Sequence, residues 1–317
     1  MSYRPPAYPP PRRRWSTAAL AITATLAFLA GVLVVTGISW TQGSTTTSAA
    51  TSATVTATTT VQPPESAPDS ATSDSTSPVT PTPEGAVSQS LLEAAVAAAL
   101  TVGGGSAGIA VDDGTGLALN SGYVDGMVSW SAIKVPLAIA ALRQNPGLYD
   151  TTFAAITYSD NGAAQALWDA LGAGDAAATA VAEVVGETGQ SLAVNPYVTR
   201  PGYTAFGQTL WSLPEMAYFG ARLNQVTGSQ QVLDMMSQVV ADQSYGLGTL
   251  PSAQFKGGWG PTEAGGYTTR QFGRVRLGGN GDGTGGTVVG IAIYAAPADG
   301  SYATSQAMLT AMAEELQ

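Results

Sequence analysis

The sequence predicts an α+β domain, an antiparallel sheet flanked by helices and interrupted by an all-helical insertion. Three observations lead there. Amphipathic helical patterns open and close the region 87–317, short β-branched and aromatic stretches gather towards its two ends, and the middle, from about 131 to 240, is Ala- and Leu-rich with helical spacing. No internal repeat is visible.

Taken in order, "SQSLLEAAVAAAL" places Leu91, Leu92, Ala95, Val96 and Leu100 on one helical face. "SAGIAVDDGTGLALN" reads as two short strands turned at Asp113-Gly114. The helical middle is interrupted by the Gly- and Pro-rich stretch 186–207. Strand signals return in "AQFKGGW", "YTTRQFGRVRL" and "TVVGIAIYAAP", the last a buried strand by its continuous apolar run. "ATSQAMLTAMAEEL" closes the chain as a helix with Met308, Met312 and Leu316 on one face.

Upstream of this domain the composition changes twice. Four arginines precede an uncharged run over residues 16–40, and the part from Ala18 to Ile38 would span about 31 Å as a helix, enough to cross a bilayer. Residues 1–15 therefore read as a cytoplasmic basic tail and 16–40 as a transmembrane signal anchor, with everything later outside the membrane. A signal peptide cleaved near Ala49-Ala50 is the alternative, which would secrete the domain. Residues 41–86 are Thr, Ser, Ala and Pro with four acids, a composition that cannot bury enough to order itself and reads as a disordered linker.

Composition also limits the chemistry. The chain has no histidine and no cysteine, which excludes His-based triads, imidazole metal sites, thiolates and disulfides. No Asp/Glu cluster has metal-ligand spacing, so neither metal nor cofactor is expected. Residues 87–317 carry 8 Lys+Arg against 18 Asp+Glu, a poor match for nucleic acid. What remains is hydroxyl, ammonium, guanidinium and carboxylate, and within that set a lysine-activated serine is the natural nucleophile.

The chain has two lysines. The first stands in "SAIKVP". Pro136 is tolerated only in a first helical turn, so the helix is expected to begin near Ser131 or Ala132, with Ser131 at its N-terminus. Lys134, three residues on, falls on the same face within reach of the Ser131 hydroxyl, and desolvation by the apolar run after it would lower its pKa towards that of a base. "SDN", Ser159-Asp160-Asn161, opens another apolar helix. The second lysine, Lys256, stands on a late strand in Lys256-Gly257-Gly258.

Ser-x-x-Lys, Ser-Asp-Asn and a late Lys-x-Gly, in that order, resemble the signature of the serine β-lactamase and DD-peptidase (penicillin-binding) superfamily, class A β-lactamases in particular, over essentially all of 87–317. "VDDGTGLALNSGY" looks like its first hairpin, and "TLWSLPEMA" like the helix after the omega loop. The resemblance implies that Ser131 is the nucleophile, Lys134 its base and Ser159 the proton donor to the leaving group. Asn161 would hold the substrate amide and Lys256 would support Ser159 and the substrate carboxylate, while Gly258 would lie along the substrate. The backbone N–H groups of Ser131 and Trp259 would form the oxyanion hole.

Three departures qualify this. Asn195-Pro196 falls where the family carries its omega-loop glutamate, and Glu187, the nearest acid, comes too early. The Lys-Thr-Gly hydroxyl is replaced by Gly257, with Arg270 the candidate substitute for carboxylate binding and Arg274 a near equivalent. Only 28 positions separate Ser131 from Ser159, which implies a reduced helical insertion. The expectation is thus Ser/Lys acyl transfer on a peptidoglycan-like or β-lactam-like acyl substrate with slow deacylation. The alternatives are a catalytically silent cell-wall peptide binding module on the same fold and a purely structural envelope protein.

Overall fold

The structure, a computed structural model, describes residues 87–279 and 285–317. The basic tail, the apolar span and the linker lie outside the described residues. Among those described, no helix is long and apolar enough to cross a membrane.

Helix α1, Gln89–Gly103, is capped by Ser88, whose side chain accepts from the Leu91 amide, and buries Leu92, Ala95, Val96 and Ala99. Leu100, expected on that face, is instead exposed. Strands β1 (Ser106–Asp112) and β2 (Ala118–Gly122) pair antiparallel through a turn. In it, the Asp113 carboxylate accepts the amides of Thr115, Gly116 and Leu117. β3 (Gln254–Pro261), β4 (Tyr267–Gly279) and β5 (Gly285–Ala296) complete a five-stranded sheet of order β2-β1-β5-β4-β3, antiparallel at every pair. The predicted sheet is therefore observed, and β3 is one of its edges.

Both faces of the sheet are covered, which explains why β5 reads as a continuous apolar run rather than an alternating one. Ile291, Ile293 and Ala295 face α1 and the closing helix α8 (Tyr302–Glu314), where Met308 and Met312 are buried, as is Leu316 just beyond its end. Ala292, Tyr294 and, on β4, Phe272 face the helical region. That region comprises α2 (Lys134–Gln144), α3 (Tyr149–Thr157), α4 (Asn161–Ala170), α5 (Gly174–Gly186), α6 (Leu213–Arg222) and α7 (Gln230–Met236).

Helix α6 carries a full capping box, Ser212 with Glu215, and a proline in its first turn. It crosses the sheet at Gly290, where a Cβ would sit 2.0 Å from the Ala217 carbonyl oxygen, so any side chain there would push α6 away. Arg222, at its C-terminal end, pairs with Asp112 of β1 at 2.8 Å and locks helix to strand.

The entry to α2 differs from the expectation. Trp130–Ile133 form a 3-10 turn, and the α-helix proper begins at Lys134. Ser131 thus lies in the tighter turn before the helix. Pro136 still falls within the first α-helical turn, the constraint from which the start was inferred.

Candidate active site

Two lysines buried in one place define the site. Lys134 is 1% exposed and Lys256 is fully buried, an arrangement that costs free energy unless partners or a lost proton compensate. Lys134 Nζ donates to the Ser159 carbonyl and to Asn161 Oδ1, both at 2.7 Å, and to the Asp160 carbonyl at 3.3 Å. It also stands 3.5 Å from Ser159 Oγ. Lys256 Nζ donates to Ser159 Oγ at 2.8 Å and to the Gly257 carbonyl at 2.8 Å. The Ser159 hydroxyl is therefore shared between the two lysines of the chain.

Local structure brings these groups together. Lys134 opens α2 and points its side chain across to the N-terminus of α4. Asp160 caps α4 by accepting from the Ala163 amide, leaving Ser159 just outside the helix at φ 57°, in the left-handed region. Such a conformation is strained for a serine and recurs where a side chain has to be aimed. Trp130, immediately before Ser131, is at φ 47°, so the residues preceding both motif helices carry the same kind of strain.

Burial sets the electrostatics. Desolvation pushes the Lys134 ammonium down to about 7, with the Asp160 carboxylate opposing the shift. Burial, and then the charge on Lys134, hold Lys256 well below the ordinary lysine range. One of two such neighbours is readily neutral at neutral pH.

Ser131 opens into a cleft of about 450 Å³ that also contacts Asn161, Gln165, Tyr203, Trp259 and Tyr267. Among the described residues lining it, none is Asp or Glu. The Ser131 hydroxyl makes no hydrogen bond to Lys134 or to any other described side chain, so the direct contact expected between this pair is not formed. The edge strand β3 runs against the Ser131 turn. A Cβ on Gly258 would lie 2.8 Å from both the Ser129 carbonyl oxygen and the Ser131 amide, and one on Gly260 would lie 2.6 Å from the Trp130 ring. The two glycines let Trp130 and the Ser131 backbone pack directly beneath the strand, placing Trp259 beside the cleft.

The structure sends Arg270 elsewhere. It pairs with Gly258 across β3 and β4 and projects from the helical side of the sheet into a second cavity, which Ser131 does not line. Arg270 and Ser131 thus line two different cavities, both bordered by Trp130. Arg274, four residues along β4 opposite Gln254, does not line the cleft either. Asn195 braces the loop in the omega position by donating to the Tyr197 and Ala205 carbonyls at 2.9 and 3.1 Å. Glu187 is engaged far from Ser131, pairing with Arg143 at 2.5 Å and accepting the Thr227 amide at 2.9 Å. The sequence reading did not foresee Trp130. Its signal was the alternation Gly258-Trp259-Gly260, which leaves one face of β3 without side chains. No cluster of His, Cys, Asp or Glu among the described residues could hold a metal ion.

This architecture is that of the serine β-lactamases. The class A β-lactamase representative from Bacteroides cellulosilyticus superposes with a TM-score of 0.57 at 15% identity, covering 72% of this chain and 96% of its own. The β-lactamase from Chitinophaga pinensis gives 0.56 at 16%, covering 71% and 97%, and the class A β-lactamase from Mycobacterium abscessus gives 0.55 at 15%, covering 71% and 97%. No protein-family model matches the chain, and no curated protein matches it in sequence. The protein therefore has a serine β-lactamase-like fold, divergent in sequence from the solved structures that share it.

Proposed function

We propose that the protein is a serine acyl-transfer enzyme of the cell envelope that acylates readily and deacylates slowly. The observation that carries this reading is the Ser159 hydroxyl held by both buried lysines, with Asn161, bonded to Lys134, lining the cleft that contains Ser131. A buried lysine with a pKa near 7 takes the Ser131 proton directly, or through Ser159, as Ser131 Oγ attacks an acyl carbonyl. The developing oxyanion is held by the backbone N–H groups of Ser131 and Trp259, which the close approach of Gly258 brings near each other. Ser159 passes its proton to the departing amine and recovers one through the lysines. An ester on Ser131 remains. Among the described residues no carboxylate lines the cleft to activate a second water, so the ester persists.

The substrate is a peptidoglycan-like peptide or another acyl compound, with β-lactams as poor substrates. The test is intact-mass spectrometry after exposure to benzylpenicillin. A stable adduct that disappears in Ser131→Ala supports the reading, whereas rapid hydrolysis without an adduct removes the slow-deacylation step. A second reading is a non-catalytic peptide-binding module, favoured by Lys134 directing its bonds to Ser159, Asp160 and Asn161 rather than to Ser131. Saturable peptide binding with no adduct from any acyl donor would establish it.

The four arginines before the apolar run support an anchored domain outside the membrane. Protease added to intact spheroplasts should release a fragment beginning between residues 41 and 84. Protection until the membrane is permeabilised would overturn that placement, and spontaneous release into the medium would favour a cleaved signal peptide.

A further inference from the structure

Behind Trp130 lies the second cavity, of about 610 Å³, walled by Tyr123, Met127, Trp130, Leu210 and Tyr294 with Arg270 at its base. Trp130 lines both this cavity and the Ser131 cleft. Arg270 is 1% exposed, and its Nε and Nη1 atoms have no hydrogen-bond partner among the described residues. A guanidinium keeps its charge when buried, so an uncompensated one is costly and calls for an anion.

Among the described residues none is paired with it. The ion pairs among the described residues are Arg143 with Glu187 and Arg222 with Asp112. Glu263 lines the cavity but forms no salt bridge with Arg270. The guanidinium faces the Tyr294 ring, 5.4 Å from Cζ, which in turn packs on Tyr123 at 5.5 Å. A second cation, Arg200, also lines the cavity, with Nη1 on the Pro261 carbonyl at 2.6 Å and Nη2 on that of Thr262 at 3.2 Å. The mouth is open, since Leu210 and Tyr123 are 63% and 46% exposed.

We propose that this cavity binds a small monocarboxylate with an aromatic or branched apolar body, its carboxylate on Arg270 and its body against Tyr123, Met127 and Leu210, at a site separate from the Ser131 cleft. A singly charged fork-binding anion matches the paired donors of a guanidinium. The apolar walls select the body and disfavour small, strongly hydrated anions.

Calorimetric titration of the full chain with three probes tests this: 3-phenylpropionate, the neutral 3-phenylpropan-1-ol, and acetate. Phenylpropionate should bind saturably and raise the thermal midpoint with concentration. The alcohol and acetate should each bind about tenfold or more weakly, the loss given by removing a charge-assisted hydrogen bond or the apolar body. Binding should be lost in Arg270→Gln and kept in Ser131→Ala. Equal binding of alcohol and acid, no saturable binding of the acid, survival of binding in Arg270→Gln, or its loss in Ser131→Ala would each overturn the proposal. The probe comparison needs no variant, so it stands even if Arg270→Gln does not fold.

Discussion

Lys256 Nζ donates to the Ser159 hydroxyl at 2.8 Å across 97 residues of chain. This bond joins the edge strand β3 to the N-terminus of α4 and fixes the one hydroxyl that both lysines can reach. A protonated Lys256, made more acidic by its burial, can return a proton to Ser159 after Ser159 has protonated a leaving group, which a well-solvated ammonium of ordinary pKa would do less readily.

Lys256→Met should therefore slow acylation of Ser131 by about 10²- to 10⁴-fold, the range of a lost general acid–base contribution. Because Lys256 acts through Ser159, the double variant Ser159→Ala/Lys256→Met should be no slower than the worse single one. Stopped-flow acylation with a chromogenic cephalosporin measures this. Multiplicative losses would show that the two residues act independently.

The depressed pKa of Lys134 makes two pH predictions. Acylation should rise as pH passes about 7, where the amine becomes neutral, and Lys134→Arg, which has no accessible neutral state, should abolish it with the fold intact by circular dichroism. Stability should also rise with pH. Between about 7 and the ordinary lysine value of 10.5 the unfolded chain holds a proton that the folded chain has lost. Below that window both states are protonated and this contribution to the slope vanishes. Lys256, shifted in the same direction, adds a slope of the same sign. Urea unfolding across the window should show a shallower pH dependence in Lys134→Met than in the wild type, and equal slopes would contradict a buried, proton-losing Lys134.

How much of this was legible follows from what burial costs. Lysine is so costly to bury that two lysines in a chain of 317 residues, both on motif positions, marked the site in sequence. The continuous apolar run of β5 and the turn at Asp113 likewise marked a buried central strand and the hairpin of β1 and β2. The cavity that Arg270 lines was not legible, because a side chain's face depends on which residue stands opposite. Gly258 opposite Arg270 turns it to the helical side, and that register is decided by packing beyond the strand itself. The α-helix expected to begin near Ser131 or Ala132 begins at Lys134, since Pro136 limits where an α-helix begins without excluding a 3-10 turn before it.

Glu187, the nearest acid in sequence to the omega position, should have no part in turnover. Although burial alone would raise its pKa, hydrogen bonds from the Thr227 amide and Arg143 hold the carboxyl below the ordinary value. Its contribution to stability is therefore present above the ordinary glutamate pKa and is lost as pH falls through the lowered value. Glu187→Gln should leave the acyl-enzyme lifetime unchanged and lower stability by about 1 kcal/mol or less, as for a half-exposed ion pair. A changed adduct lifetime by time-resolved mass spectrometry would place Glu187 in the chemistry after all.

The glycine pair on β3 separates packing from chemistry most cleanly. A Cβ at Gly258 would press to 2.8 Å on the Ser131 amide, whereas one at Gly257 would meet the Trp259 ring at 3.7 Å, the Gln271 side chain at 3.8 Å and the Arg270 carbonyl oxygen at 3.9 Å, ordinary contact distances. Gly258→Ala must therefore push β3 away from the Ser131 turn, with a cost of about 1–3 kcal/mol for overpacking, and acylation should fall with it because the two backbone N–H donors separate. Gly257→Thr should fold with stability within about 1 kcal/mol of wild type, since a β-branched residue suits a strand and the space exists. By restoring the hydroxyl missing from Lys256-Gly257-Gly258, it should also raise the acylation rate for a substrate carrying a carboxylate and leave that for its methyl ester unchanged. Thermal unfolding and acylation rates on the two substrates decide the matter. A Gly258→Ala variant that is stable and active would show that β3 does not fix the Ser131 backbone, and equal acceleration of acid and ester by Gly257→Thr would show that its hydroxyl does not meet the substrate carboxylate.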